Sequence, residues 1–246
     1  VLEYILSKDK DARTRDAVSP SLQVRYNPIE YLSVTAFVRR AYRIPTFNEL
    51  YYIGFGNTDL NCEDALLSDL GIAFNKKYDY WNINASINGF YNRLHDKISS
   101  APSPEDPNIW FPYNIGVVGA PGADLALGTE YSRDSHSCGV SLRYGLISAK
   151  DLTPGSYSNG QQLAFIPKHS FSADAFWRYK KTSVEATWVL KAGRKDSYSD
   201  LPDYNILNAT IRQAIGRNVN LAVYGRNLTG KKYELSSGYP MPGTSL

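Results

Sequence analysis

The chain has 246 residues with 27 basic and 24 acidic side chains, so its formal net charge at pH 7 is +3. Hydrophobic residues make up 43% and aromatic residues 13% of the sequence, which excludes global disorder. The near balance of charge gives no reason to expect a nucleic-acid partner. No run of about 18 apolar residues occurs, which excludes a transmembrane helix, but a spanning β-strand needs only about 9–11 alternating residues.

The N-terminal residues and the cysteines add little to the prediction of fold and function. The opening residues, Val1 to Tyr4, read neither as a signal peptide nor as a typical mature start, so we expect the chain to begin inside a larger polypeptide. Cys62 and Cys138 are the only cysteines, and a single disulfide and two free thiols are both compatible with them.

Side chains along the chain alternate with a period of two, which is typical of β-strands. In the clearest example, residues 81–92, the odd positions are mainly apolar and the even positions are mainly asparagine or serine. No convincing helical period is present. In chain order, ten strands are predicted at residues 22–26, 32–41, 67–74, 81–92, 123–131, 139–146, 171–179, 183–191, 207–212 and 219–227.

The connections between these strands also alternate. Short polar turns are predicted at residues 27–30, 75–77, 133–135, 180–182 and 216–218, and long irregular segments at 42–66, 93–113, 148–168, 193–203 and from 229 onward. This order predicts antiparallel up-and-down hairpins with every long loop on one side, as in an outer-membrane barrel. Tyrosines and tryptophans near the strand ends fit the aromatic girdles of such a barrel. A soluble β-sandwich also alternates, but its loops are short at both ends, so the barrel is favoured.

The polar face of the predicted strands carries charges of both signs. In a barrel this face lines the lumen, where we expect water or a plug, with ion pairs between neighbouring strands. The charged residues of this face are Arg25, Arg39, Asp69, Asp124, Glu130, Arg143, Asp174, Arg178, Glu185, Lys191, Arg212 and Arg226. Ten strands with an open edge cannot face lipid, so the sequence predicts part of a larger barrel.

Two segments contain sequence motifs in addition to the alternating pattern. Residues 43–51 read RIPTFNELY, followed by GNTDL at 56–60 and by Glu63; near the other end, residues 227–233 read NLTGKKY and residues 238–243 read GYPMPG. This pair resembles the C-terminal half of the barrel of TonB-dependent outer-membrane receptors. The residues that carry the resemblance are Arg43, Pro45, Asn48, Glu49, Gly56, Asn57, Asn227, Leu228, Tyr233, Gly238, Tyr239, Pro240 and Gly243.

The resemblance implies an all-β, antiparallel transmembrane barrel of about 22 strands around an N-terminal plug. Residues 1–246 would form the C-terminal part of that single domain and contribute its twelfth to twenty-first strands. The plug, the TonB box and the last strand would be absent from this chain. The implied partners are the TonB–ExbB–ExbD complex, the remaining strands and the plug of the same receptor, outer-membrane lipid and a surface lipoprotein over the loops.

The resemblance further implies a bacterial outer-membrane importer of a scarce, large solute. Cobalamin is slightly favoured over a ferric siderophore or haem, and glycans are less favoured because the loops are compact. A passive porin-like or adhesin barrel is the alternative from another class. An enzyme is not expected, because the three histidines are far apart in sequence and no P-loop, G-x-S-x-G or H-E-x-x-H motif occurs.

We expect structural roles for most motif residues, with Arg43 and Glu49 pairing across the loop base and Asn48 and Asn57 capping bends. Ligand contacts are expected from aromatic residues in the loops, because their rings offer a rigid apolar surface and tyrosine and tryptophan add a polar group. The candidates are Tyr51, Tyr52, Phe55, Trp110, Phe111, Tyr113, Tyr157 and Tyr198. No cofactor is expected, although Asp59, Glu63 and Asp64 form an acidic cluster that could bind loop calcium.

Overall fold

Strands dominate the computed structural model, which describes residues 2–8, 14–103, 106, 108–197, 199–216 and 218–246. The strands are β1 (Leu2–Lys8), β2 (Thr14–Ile29), β3 (Leu32–Arg43), β4 (Glu63–Tyr78), β5 (Trp81–Pro102), β6 (Trp110–Arg133), β7 (His136–Ile147), β8 (Lys150–Asp151), β9 (His169–Tyr179), β10 (Thr182–Ala192), β11 (Arg194–Lys195), β12 (Asp200–Leu201), β13 (Tyr204–Ile215) and β14 (Val219–Gly225). One short helix, α1 (Phe47–Tyr51), lies between β3 and β4. Within the described ranges, no helix is long and apolar enough to cross a membrane.

The main sheet is an antiparallel meander in which sequence neighbours pair in the order β1-β2-β3-β4-β5-β6-β7-β9-β10-β13-β14. The short strand β8 continues β7 in the same register against β6, and β11 and β12 form a separate small hairpin. All ten predicted strands are present, and the up-and-down topology is confirmed. The architecture is a partial barrel.

The structure differs from the sequence prediction in several places, and the short strands β8, β11 and β12 lie in segments predicted as irregular. The strand β1 and the helix α1 were not predicted. Segment 93–113, predicted as irregular, is mostly strand, because β5 and β6 pair in register as far as Pro102 and Trp110. The prolines in that segment suggested a loop, yet a proline is tolerated where a strand does not need its N–H for pairing.

The register places the alternating apolar side chains on one face of the sheet. Leu70, Ile72, Ile87 and Leu125 project from β4, β5 and β6 on this face, and each is at least 40% exposed. They are therefore not sealed between two stacked sheets, and the β-sandwich alternative is wrong. In an outer-membrane barrel this face contacts lipid, and we call it the outward face.

The opposite, inward face carries the predicted ion pairs. Arg143 of β7 pairs with Asp174 of β9 at 2.8 Å. Glu185 of β10 lies 2.7 Å from Arg212 of β13 and 3.6 Å from Arg178 of β9, measured between carboxylate oxygen and guanidinium nitrogen. These contacts join four consecutive strands of the sheet order, as expected for charges that line an enclosed interior.

Glycines on the inward face make room for larger side chains of the neighbouring strands. A Cβ on Gly128 would lie 2.5 Å from Asn84 Oδ1, and a Cβ on Gly139 would lie 2.6 Å from a ring carbon of Phe176. Each large side chain therefore lies across the backbone of the adjacent strand, in the small-against-large packing of barrel interiors.

The short turns end in aromatic clusters, as predicted for a membrane boundary. The Trp81 ring lies 5.0 Å from the Tyr131 ring across β5 and β6. Lys76 Nζ lies 4.3 Å from the ring centroid of Tyr31 and 4.8 Å from that of Tyr78. These rings mark the end of the apolar band on the side of the short turns.

Candidate functional site

An ion network anchors the first long loop at the end of β3. Arg43 donates to both carboxylate oxygens of Glu49, at 3.0 and 3.1 Å, and its Nε lies 2.8 Å from a carboxylate oxygen of Glu63. The predicted pairing of Arg43 with Glu49 is therefore confirmed. Hydrogen bonds to the two acids raise the pKa of Arg43, with Glu63 contributing most, so this guanidinium stays charged.

The two acids stay ionised although burial works against them. Burial alone would raise the pKa of Glu63, but hydrogen bonds from Arg43 and from the backbone N–H of Ile98 lower it below its usual value. Burial also raises the pKa of Glu49, and donors from Arg43 and Thr46 outweigh that effect. Glu49 completes a capping box with Thr46, which explains why a helix of only five residues begins there.

A small apolar core lies behind this network. Leu50, Leu60 and Ile98 are buried together, with Tyr51 packed against them. Tyr51 also contacts the Phe47 ring at 5.1 Å between centroids. The core fixes the loop onto β5, so Tyr51, predicted as a ligand contact, packs within the loop.

The motif residues Gly56 and Asn57 close the loop by tight backbone contacts. A Cβ on Gly56 would lie 2.7 Å from the backbone of Leu50 and Tyr51, so glycine is required there for close approach. Asn57 Oδ1 accepts from the N–H of Asp59 at 2.9 Å, which confirms its predicted capping role, and its amide donates to the carbonyl of Pro112 on β6. The bend-capping role of Asn48 stays a prediction; its backbone carbonyl accepts from the N–H of Tyr52.

The acidic cluster proposed for calcium is divided. Glu63 and Asp64 are adjacent strand residues, so their side chains point to opposite faces, and they pair with Arg43 and Arg40 respectively. Among the described residues, no three His, Cys, Asp or Glu side chains lie close enough together to hold a metal ion. This arrangement gives the calcium hypothesis no support.

The loop after β7 is organised around one buried carboxylate that the sequence analysis did not single out. Asp151 is 1% exposed and accepts hydrogen bonds from Ser158 Oγ at 2.5 Å, Ser156 Oγ at 2.7 Å and the N–H of Thr153 at 2.8 Å. Burial raises the pKa of Asp151, but these donors outweigh it and lower the pKa to about 2. The dense Ser and Thr content of residues 153–158 was the available signal.

A second missed cluster joins the loop after β10 to the C-terminal segment. Buried Arg194 donates to the carbonyls of Pro202 and Glu234, and its guanidinium lies 4.5 Å from the Tyr204 ring centroid. The motif residue Tyr233 stacks on Tyr204 at 4.3 Å between centroids. These contacts make the last two loops one packed unit.

Buried Asp196 strengthens the same unit. Its carboxylate accepts from the N–H groups of Ser199 and Ser237, at 2.9 and 2.8 Å. Gly238, a motif glycine with φ of +79°, donates its N–H to the side chain of Glu234 at 3.0 Å. A side chain at this φ would be strained, so the glycine is needed for the turn.

Asn227 holds the chain where it leaves β14. It adopts φ of +48°, and its side chain donates to the carbonyls of Lys231 and Pro242 while accepting from the N–H of Lys231. Its own N–H donates to Asn208 Oδ1 on β13. The adjacent motif side chain, Leu228, covers Gly225 of the same strand. A structural role therefore accounts for this part of the motif.

The predicted ligand aromatics differ in accessibility. Tyr52 is 61% exposed and Tyr157 is 98% exposed, so both are free to meet a ligand. Trp110 and Phe111 are adjacent on β6 and point to opposite faces; Phe111 lies 5.8 Å from Tyr113 between ring centroids. The aromatics therefore do not form one cluster.

The structure also shows the positions of three other residues named in the sequence analysis, Phe55, Pro45 and Tyr239. Phe55 is half-buried and donates its N–H to the carbonyl of Tyr52, whereas Tyr198 lies outside the described residues. Pro45 is buried at the entrance to α1, and the motif residue Tyr239 is 73% exposed on the C-terminal loop.

Two further motif residues border a cavity of about 630 Å³ beside the C-terminal loop. Pro240 and Gly243 line it together with Tyr233, Met241 and Lys232. The cavity lies against the unit held by Arg194, and it is large enough for a small ligand group.

Comparison with known proteins agrees with this geometry. A sequence model described as "TonB dependent receptor-like, beta-barrel" matches residues 5–228. The chain belongs to this family. It is thus part of the β-barrel of a TonB-dependent outer-membrane receptor, as the sequence motifs predicted.

Individual family members are similar over most of this chain. The protein named Vitamin B12 transporter BtuB from Vibrio vulnificus (strain YJ016) is 24% identical over 208 residues, covering 84% of this chain and 32% of the relative. The structure of the copper transporter OprC superposes with a TM-score of 0.72 at 18% identity, over 94% of this chain and 38% of OprC. The siderophore receptor PirA from Acinetobacter baumannii gives a TM-score of 0.66 at 18% identity, over 93% and 40%. The chain therefore spans about a third of the length of such relatives.

Proposed function

We propose that the full-length protein is an outer-membrane active transporter that imports a scarce, large solute. Family membership over residues 5–228 carries this proposal. The loop geometry supports it, because the extracellular loops are internally braced and present exposed aromatic side chains, a surface suited to capturing a ligand rather than to free diffusion.

Cobalamin is the solute we propose first. Its support is the similarity to a protein named as a vitamin B12 transporter over 84% of this chain. Ferric siderophores and haem are the second candidates, supported by the structural likeness to a siderophore receptor. In either case Tyr52 and Tyr157 are the most exposed of the predicted ligand aromatics that the structure describes, so they are the ones proposed to stack on a planar ligand.

The same proposal includes the rest of the receptor and the complex that would supply energy for import. Residues 1–246 would be the C-terminal part of one barrel domain, completed by further strands and an N-terminal plug. TonB–ExbB–ExbD would act on that plug, and a surface lipoprotein could cover the loops. The ion pairs of the inward face, such as Arg143 with Asp174, offer a hydrophilic wall for a plug to contact.

A binding titration tests the solute. The full-length protein in detergent would be titrated with cyanocobalamin, haem, a ferric siderophore and copper(II) as separate ligands. Saturable sub-micromolar binding of cyanocobalamin alone is expected, with at least tenfold weaker binding in a Tyr52→Ser, Tyr157→Ser double variant. Tyr80→Ser at the opposite end of the barrel is the matched control. A porin-like barrel would bind none of the four and would conduct ions passively in a bilayer.

A further inference from the structure

Three cations line one cavity at the long-loop end of the barrel. The cavity has a volume of about 260 Å³ and lies where the loop after β10 meets the C-terminal segment. Its charged lining residues are Lys191 at the end of β10 and Arg194 and Lys195 of β11. Among the residues that the structure describes, no Asp or Glu lines it. The wall of this cavity is therefore positively charged.

Backbone hydrogen bonds fix the segments that enclose this cavity. The N–H of Phe165 donates to the carbonyl of Lys195 at 2.8 Å, and the N–H of Lys168 donates to the carbonyl of Gly193 at 3.1 Å. The remaining lining is mainly apolar or aromatic and consists of Phe165, Pro167, Leu201, Tyr204 and Leu235. Because such a lining keeps the local dielectric constant low, an anion inside the cavity would interact with the cations more strongly than in water.

Arg194 is a buried cation whose polar partners are all neutral. The residue is only 7% exposed, and its guanidinium donates to the carbonyls of Pro202, Glu234 and Leu235. A guanidinium has five N–H donors and stays charged, so these three acceptors leave donors unused. A buried charge is costly unless an opposite charge accompanies it. The unused donors and the charge of Arg194 are therefore available to an anion in the cavity.

The two lysines add to this charge. Lys191 Nζ donates to Ser170 Oγ, a neutral partner, at 2.9 Å. Lys195 lies opposite Asp200 in the register of β11 and β12, but their side chains form no ion pair. None of the ion pairs within the described ranges includes Lys191, Arg194 or Lys195. All three cations thus lack a carboxylate at ion-pair distance.

The acidic residues of the same two loops are engaged elsewhere. Asp196 and Glu234 accept hydrogen bonds from backbone N–H groups of the C-terminal segment, at 2.8 and 3.0 Å. Asp203 accepts from the N–H of Gly193 at 2.9 Å. Asp203 and Glu234 line the neighbouring cavity of about 630 Å³ and not the cavity of the three cations. The loops therefore leave the charge of the smaller cavity uncompensated.

We propose that Lys191, Arg194 and Lys195 bind an oxyanion, a phosphate or a carboxylate, in this cavity. Arginine donates two parallel hydrogen bonds to such groups, and each lysine adds a point charge. The bound anion compensates the buried charge of Arg194 and links β10 to the C-terminal segment that Arg194 already contacts. The anion is either free in solution or part of the imported solute, and only the second source rests on the proposed function.

Calorimetric titration of the full-length protein in detergent with inorganic phosphate tests the site. Saturable binding is expected, and hydrogen exchange of residues 193–203 should slow about tenfold at saturation, because the anion holds Arg194 in place. The double variant Lys191→Gln, Lys195→Gln should bind phosphate at least tenfold more weakly, since one hydrogen bond to a charged group contributes a factor of about ten or more. The charge-conserving variant Lys191→Arg, Lys195→Arg should retain binding.

The matched control is Lys231→Gln, Lys232→Gln, which removes two charges from the C-terminal loop outside this cavity. Both lysine pairs leave Arg194 and its structural contacts in place, and heat-modifiable mobility on gels shows that each variant is folded. Two results would overturn the proposal. One is no saturable phosphate binding together with unchanged solute binding in the Lys191, Lys195 glutamine variant. The other is equal weakening in the control.

Two corrinoids distinguish the sources of the anion, because cyanocobalamin carries a phosphodiester and cobinamide lacks it. If the solute supplies the anion, phosphate competes with cyanocobalamin, and the glutamine variant weakens the binding of cyanocobalamin at least tenfold but not that of cobinamide. Unchanged binding of both corrinoids, with phosphate binding lost in the variant, assigns the site to a free anion. A protein that binds phosphate here but no cyanocobalamin would contradict the proposed solute and not this site.

Discussion

Replacing Asp151 by asparagine tests whether one carboxylate organises the loop that presents Tyr157. The carboxylate is 1% exposed, and three donors from Thr153, Ser156 and Ser158 converge on it. Asparagine keeps the size but removes the charge, and hydrogen bonds to a charged acceptor are about twice as strong as neutral ones. The loop should therefore open more often in Asp151→Asn.

The magnitude follows from the pKa of Asp151, which is lowered from 3.8 to about 2. A shift of that size corresponds to roughly 2.5 kcal/mol of stabilisation of the charged form. Because asparagine retains part of the hydrogen bonding, we expect the free energy of loop opening to fall by about 2 kcal/mol. That change corresponds to about thirtyfold more opening.

Hydrogen exchange of the peptide spanning residues 150–162 measures this opening. At pH 6, exchange should be about thirtyfold faster in Asp151→Asn than in the wild type. Asp200→Asn, which alters an exposed aspartate in another loop, is the control and should leave this peptide unchanged.

The protection of this loop from hydrogen exchange should depend on pH in a definite direction. A group whose pKa is lowered by folding stabilises the folded state above its unfolded pKa and stops doing so as pH falls through its folded pKa. The extra protection of the wild type should be complete at pH 6 and disappear between about pH 4 and pH 2. Exchange in Asp151→Asn within threefold of wild type at pH 6 would refute this account of the loop.

Three further substitutions test the sheet and the first loop. Ile87→Arg places a charge on the outward face and should lower the free energy of unfolding in lipid by about 2–4 kcal/mol. Gly122→Ala should cost about 1–3 kcal/mol, because its Cβ would lie 2.6 Å from the carbonyl of Leu146. Arg43→Met leaves two carboxylates without their partner and should destabilise the first loop by about 3 kcal/mol, read as faster exchange of residues 46–60.

Each of these has its own control. The control for Ile87→Arg is Asn88→Arg, because Asn88 is the next residue and faces inward. Urea unfolding in lipid vesicles should show little change in the free energy of unfolding for Asn88→Arg. Similar losses of stability at both positions would mean that the faces are assigned wrongly. Gly89→Ala has no atom within 4 Å of its new Cβ and should be near neutral, so equal losses at Gly89 and Gly122 would contradict the packing argument. For Arg43→Met, unchanged exchange in the first loop would show that the ion network does not brace it.

The sequence by itself determined the strands, their topology and their two faces. A period of two is read directly from adjacent residues, and the order of short and long connections requires hairpins with their loops on one side. The motif at residues 43–51 also predicted the pairing of Arg43 with Glu49, because their separation of six residues lets a loop base bring them together.

Only the tertiary structure decided which loop residues are buried and which side chains lie near one another across the sheet. Asp151 and Arg194 read as ordinary polar loop residues, and their partners are backbone groups and serine hydroxyls whose positions depend on the folded loop. Arg93 and Lys150 are 57 positions apart in the sequence and become neighbours only through the register of β5, β6 and β8. Alternation fixes the face on which a side chain lies, whereas the register across several strands fixes what lies beside it.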